Sequence, residues 1–141
     1  MSPTAKMMAT HPSVNGMEND WLNQCIDQCL ACSQSCASCE DACLAEENVA
    51  DLRRCIRLCA DCSDVCATTS RVVSRLTEPN PRVIDVVLDA CRAVCEECAA
   101  ECESHAQHGM EHCKVCAEAC RACAAACSQL LAAGGRKSGS A

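Results

Sequence analysis

A chain of 141 residues is long enough for one compact domain and too short for two ordinary ones, so any functional site has to be built inside a single core. One Trp and no Phe or Tyr leave that core without its usual large fillers, while 19 Cys supply an unusual alternative. A formal net charge of −7 argues against nucleic-acid partners and anionic membrane surfaces, both of which would be repelled.

The N-terminal stretch MSPTAKMMATHPSVNGMEND has no continuous apolar segment, no twin arginine and no cleavage site, so export is not expected. No apolar run suits a bilayer span and no lipidation signal is present, so the expected location is cytoplasmic, without membrane attachment. Thiols stay reduced there, and clustered thiols then point to metal or redox chemistry rather than to bridges. The odd count of 19 would in any case leave one Cys unpaired in an intramolecular scheme. Residues 1–17 read as a flexible or partly helical segment.

From residue 18 the cysteines organise the chain. The first predicted helix, 18–45, carries Cys25, Cys29, Cys32, Cys36, Cys39 and Cys43. Glu46-Glu47-Asn48 breaks it, with Asn48 as an N-cap and Asp51 in the first turn that follows. The second helix, 49–77, carries Cys55, Cys59, Cys62 and Cys66, and Glu78-Pro79-Asn80-Pro81 ends it because proline cannot continue a helix. The third, 82–107, carries Cys91, Cys95, Cys98 and Cys102, and Gly109 permits a tight turn after it. The fourth, 110–133, carries Cys113, Cys116, Cys120, Cys123 and Cys127, and residues 134–141 have the composition of a flexible tail.

Within each cluster the gaps alternate strictly between 3 and 4, a 3.5-residue period that turns every thiol toward the seam of a helical bundle. Short connections favour antiparallel neighbours. The expected fold is therefore all-α, an antiparallel up-down-up-down four-helix bundle with a Cys-lined core over residues 18–133. That topology gathers Trp21, Leu22, Val72, Val73, Leu76, Val83, Ile84, Val86, Val87, Leu88, Leu130 and Leu131 at one end as an apolar plug. It gathers Cys43, the 46–50 turn, His105, His108, Met110 and His112 at the other, which is the expected mouth.

Side chains three and four apart share a helix face, so successive Cys pairs can each hold an ion, and the first cluster alone covers about 27 Å of axis. Soft thiolates select copper(I), zinc or iron–sulfur clusters. Charge balance favours the monovalent ion, since one Cu⁺ per thiolate is neutral, whereas a four-thiolate zinc site keeps two excess negative charges that a buried core tolerates poorly. The compact local run of an iron–sulfur ligand set is missing. The sequence therefore points to on the order of twenty copper(I) ions per chain, roughly one per Cys, as bound cargo of a protein that catalyses nothing. A zinc or mixed-metal thiolate buffer is the principal alternative, and a thiol–disulfide redox protein a weaker one, because no βαβ pattern surrounds the C-x-x-C units.

With the repeated C-x₃-C-x₂-C spacing on all four helices and the turn S-H-A-Q-H-G-M-E-H-C at 104–113, the chain resembles the cytosolic branch of the bacterial copper storage proteins. The resemblance covers about residues 18–133. It implies copper(I) storage, a homotetramer of bundles, and a mouth at which His105, His108 and His112 bind or admit copper. Exported relatives use Met at the mouth, and Met110 is the residue placed to do so here. A copper chaperone or chelator would serve for delivery and removal.

Overall fold

The computed structural model describes residues 2–14 and 19–134, and among these every regular element is helical. In chain order they are α1 (Pro3–Thr10), α2 (Asp20–Leu44), a 3-10 turn (Val49–Leu52), α3 (Arg53–Ser74), α4 (Pro81–Ala106) and α5 (Glu111–Ala132). Of the tail expected to be flexible, 134–141, residues 135–141 lie outside the described residues.

Local chemistry sets these bounds. Asn19 caps α2 by accepting from the Leu22 amide at 3.1 Å, and Asn80 caps α4 by accepting from Val83 at 3.1 Å, with Pro81 occupying the first turn where its missing N–H costs nothing. α3 starts later than the spacing predicts, at Arg53, because Val49–Leu52 closes into the tighter turn first, with the Asp51 amide on the Asn48 carbonyl at 2.9 Å. Asn48 sits at the start of that turn but makes no side-chain cap bond. α3 also ends three residues early, at Ser74, where Arg75 turns extended with its amide on the Val72 carbonyl at 3.4 Å. Gly109, at φ 87°, makes the α4–α5 turn, its amide bonded to the Ala106 carbonyl at 3.0 Å.

The N-terminal segment contains a complete short helix. Ser2 accepts from the Ala5 amide at 3.2 Å, Pro3 takes the first helical position, and α1 lies against α2 with Met8 only 7% exposed. The Ser13 amide donates to His11 Nδ1 at 3.0 Å, which leaves Nε2 as the donor toward Thr77 Oγ1 at 3.4 Å and ties the segment to the loop that follows α3.

α2 packs on α3 and α5, and α4 packs on α3 and α5, which closes the four long helices into a ring. Across α3 and α4 the sulfur neighbours are Cys66 with Cys91, Cys62 with Cys95, and Cys55 with Cys102, one number rising as the other falls. The same inverse order relates Cys29 with Cys123 and Cys39 with Cys113 across α2 and α5. Cys32 with Cys62 and Cys43 with Cys55 repeat it across α2 and α3, so neighbouring helices run in opposite senses and the side chains at one level of the axis come from all four.

Continuing the 3-4 alternation past the cysteines explains what fills the ends. Stepping outward from the clusters reaches Leu22, Thr69, Val73, Ile84, Leu88 and Leu130 at one end, all of them buried, with Leu76 half-buried beside them. Each fully buried aliphatic there contributes about 1.5–3 kcal/mol. Thr69 satisfies its hydroxyl on the Val65 carbonyl at 2.7 Å. Trp21, Val83 and Val86, expected in the same plug, are instead 46%, 51% and 61% exposed, because they stand one or two residues off that alternation and face outward. α5 is long and apolar enough, by length and composition alone, to cross a membrane. Its apolar character comes from Cys and Ala, whose buried members face the bundle core, while Lys114, Glu118 and Arg121 lie outside.

Candidate metal centre

The seam brings the thiols of Cys25, Cys29, Cys32, Cys36, Cys39, Cys43, Cys55, Cys59, Cys62, Cys66, Cys91, Cys95, Cys98, Cys102, Cys113, Cys116, Cys120, Cys123 and Cys127 onto one axis. None is more than 2% exposed and none is bridged. Their sulfurs touch in an unbroken series from the plug to the other end. Cys29 meets Cys123 at 3.7 Å, Cys66 meets Cys95 at 3.5 Å, and Cys32 and Cys36 meet Cys120 at 3.7 and 3.6 Å. Cys59 meets Cys98 at 3.8 Å, Cys55 meets Cys102 at 3.8 Å, and Cys43 meets Cys55 at 4.0 Å. A disulfide needs sulfurs about 2.05 Å apart, so these are packed thiols.

Several quartets have all their sulfurs within 4.8 Å of one another: Cys29, Cys91, Cys123 and Cys127; Cys32, Cys62, Cys66 and Cys95; Cys32, Cys36, Cys62 and Cys120; Cys36, Cys98, Cys116 and Cys120. A tetrahedral zinc site with bonds of about 2.3 Å has sulfur–sulfur edges of about 3.8 Å, so edge length alone would admit zinc. Sharing decides against it. Cys32, Cys36, Cys62 and Cys120 each belong to at least two quartets, and divalent ions in adjacent quartets would compete for the same sulfurs while leaving excess negative charge in a dry core. A monovalent soft ion bridging pairs of thiolates uses the shared sulfurs without that penalty.

Protons are unevenly distributed over this network. Hydrogen bonding with Cys127 and then Cys29 holds the Cys25 thiol down to about 5, and bonding with the same two thiols, in the same order, lowers Cys123 to about 6. Their neighbour Cys127 is pushed up by its bonds to Cys123 and Cys25, so it keeps the proton it shares. Burial raises Cys113 to about 11, with the Cys55 thiolate adding to the effect, and burial also raises Cys43.

At that other end the sequence-singled residues separate. His112, in the first turn of α5, places Nδ1 3.4 Å from Cys39 Sγ and 3.6 Å from Cys113 Sγ, and it joins Cys39, Cys43 and Cys113 in a fifth compact quartet. His105, 17% exposed, turns to Glu101 at 2.8 Å, and Glu101 also holds Arg54 at 3.2 Å. His108 is exposed in the turn, and Met110 is half-buried against the core cluster. Glu46 was not singled out by residue type, yet its carboxylate binds His112 Nε2 at 3.0 Å. The signal for it is positional: three residues past Cys43, Glu46 is the next step of the α2 alternation, as His105 is past Cys102 and the buried Leu52 is before Cys55.

Comparison with known proteins agrees with this geometry. Residues 18–132 match the family described as copper storage protein. The chain is similar to the copper storage protein Ccsp from Streptomyces lividans loaded with 10 copper equivalents, at 48% identity over 92% of this chain and 98% of that one, with a TM-score of 0.86. A cytosolic copper storage protein from Streptomyces lividans carrying five coppers is 53% identical over 80% and 93% of the two chains, with a TM-score of 0.78. A single-histidine mutant of Streptomyces lividans Ccsp is 50% identical over 83% and 97%, with a TM-score of 0.80. No curated protein matches the chain.

Proposed function

The chain belongs to the copper storage protein family, and on that premise we propose that its 19 buried thiols are the store, taking up copper(I) at about one ion per Cys. The observation that carries this reading is the continuous series of unbridged sulfurs 3.5–4.0 Å apart. Each ion bound displaces one proton, RSH + Cu⁺ giving RS–Cu + H⁺, so the core stays neutral as it fills and its apolar surroundings are not burdened with charge. A Cys core that is already packed when metal-free suits this role, because a thiol behaves as a small hydrophobe and the helices need no metal to associate.

The end bearing Cys43, His105, His108, Met110 and His112 is the proposed mouth, with His112 the group nearest to sulfur and the opposite end closed by hydrocarbon. The protein is a sequestering store in the cytosol, as the related Streptomyces lividans protein is described, and performs no catalysis. A homotetramer, implied by the family resemblance, would find apolar surface in the exposed Trp21, Val83 and Val86, and a chaperone or chelator would exchange copper at the mouth.

An anaerobic copper(I) titration of the reduced protein against a chromophoric competitor tests the reading. Saturation near 19 ions with unchanged helical content is expected. Saturation at about one metal per four Cys, with zinc competing equally, would replace it with a zinc buffer.

A further inference from the structure

The storage reading leaves open how an imidazole at the rim comes to face sulfur with a lone pair rather than with an N–H. His112 is held by two kinds of partner at once: Glu46 on Nε2 at 3.0 Å, and the sulfurs of Cys39 and Cys113 on Nδ1 at 3.4 and 3.6 Å. An ionised carboxylate only accepts, so the nitrogen facing Glu46 carries the hydrogen, and in a neutral ring the other nitrogen is then the acceptor. Nothing else about the site dictates that choice, because a thiol can donate to a bare ring nitrogen or accept from a protonated one.

Glu46 is itself well placed to make the choice. Its amide donates to the Cys43 carbonyl at 3.2 Å, which pins its backbone just beyond α2, and the contact to His112 joins residues 66 apart in sequence. One side of the rim thus orients a group on the other, and Glu46 remains about one-third exposed while doing so.

We infer that Glu46 is a positioning residue for copper uptake, fixing His112 with its Nδ1 lone pair beside Cys39 and Cys113 so that an arriving copper(I) meets one nitrogen and two sulfurs already aligned. The inference rests on the storage reading but not on any bound metal, since the orientation exists in the metal-free protein. Carboxylates behind ligating imidazoles act in this way at many metal sites, and losing one costs about 10–100-fold in metal affinity or activity.

The experiment compares the full-length parent with Glu46→Ala and Glu46→Gln, all reduced and metal-free, by ¹⁵N–¹H correlation of the imidazole nitrogens at mildly alkaline pH. The parent is expected to show His112 protonated on Nε2 and bare on Nδ1. Glu46→Ala should populate both tautomers, and Glu46→Gln, whose amide oxygen still accepts, should keep the parent pattern. Stopped-flow transfer from a copper(I)-loaded chromophoric chelator should be slowed about tenfold in Glu46→Ala, with Glu46→Gln close to the parent and total capacity equal in all three. A parent tautomer pattern retained in Glu46→Ala, a parent rate in that variant, or a Gln variant no better than Ala would each overturn the inference. A parent that keeps the tautomer pattern yet takes up no copper(I) would instead overturn the storage reading, and with it the loading half of this one.

Discussion

Replacing Cys32 by Ala separates the two jobs a buried thiol performs. Its sulfur is fully buried and touches those of Cys36, Cys62 and Cys120 at 3.9, 3.8 and 3.7 Å. Removing it forfeits the transfer free energy of roughly one methylene and leaves a void of similar size, together about 1–1.5 kcal/mol, or a melting temperature lower by about 3–6 °C. Because charge balance ties ions to thiolates and Cys32 serves at least two quartets, copper(I) capacity should fall by one or two ions per chain while the remainder load as before. Ser33→Ala, one residue away, removes only the hydroxyl that donates to the Ser63 carbonyl at 2.9 Å, so it should cost about 1 kcal/mol with capacity unchanged. Melting curves followed by circular dichroism and competitive copper titration read the two effects separately. A Cys32→Ala protein that binds the parental complement, or a Ser33→Ala protein that loses ions, would refute the neutrality argument.

Replacing His105, His108 and His112 together should slow loading with little change in total capacity, and His112→Ala alone should produce most of the effect, since it is the one whose ring reaches sulfur; equal rates in the triple variant and parent, by stopped-flow, would count against the proposed mouth. The metal-free bundle should lose stability as pH rises from about 9 to about 11, because the folded Cys113 keeps its proton up to about 11 while the unfolded thiol releases it near 9.0. That contribution is fully present below the lower value, and thermal melts in reductant across the range measure it. Gly109→Ala should lower stability by about 1–2 kcal/mol although no atom lies within 4 Å of the new methyl, because φ of 87° is unfavourable for any L side chain, and its melting temperature should fall by several degrees.

The helices and their inward face were legible because Cys at alternating 3 and 4 spacing is a direct statement of register, and that register is what the packed sulfurs realise. The same alternation, carried past the cysteines, separates Leu22 from Trp21 and the pair Ile84 and Leu88 from Val83 and Val86; collecting apolar residues by segment, without the phase, merges the two sets. α1 was less legible because eight residues form a helix only with tertiary help, here the burial of Met8 and the Ser2 cap. At the rim, residue type pointed to the histidines, but their division of labour depends on partners far away in sequence. Glu101 engages His105 from one turn back on α4, whereas Glu46 reaches His112 from just beyond α2, and no local pattern distinguishes a carboxylate that will cross the rim from one that faces solvent.

The inverse numbering of facing cysteines, 66 with 91, 62 with 95 and 55 with 102, means that the interior is assembled in tiers, each contributed to by all four helices. Seven residues inserted at one level of every helix would add another tier, two thiols from each, and leave both termini of the rod chemically as they were. Payload in such a molecule grows linearly with length, so a lineage could enlarge or shrink its reservoir by whole heptads without redesigning the vessel.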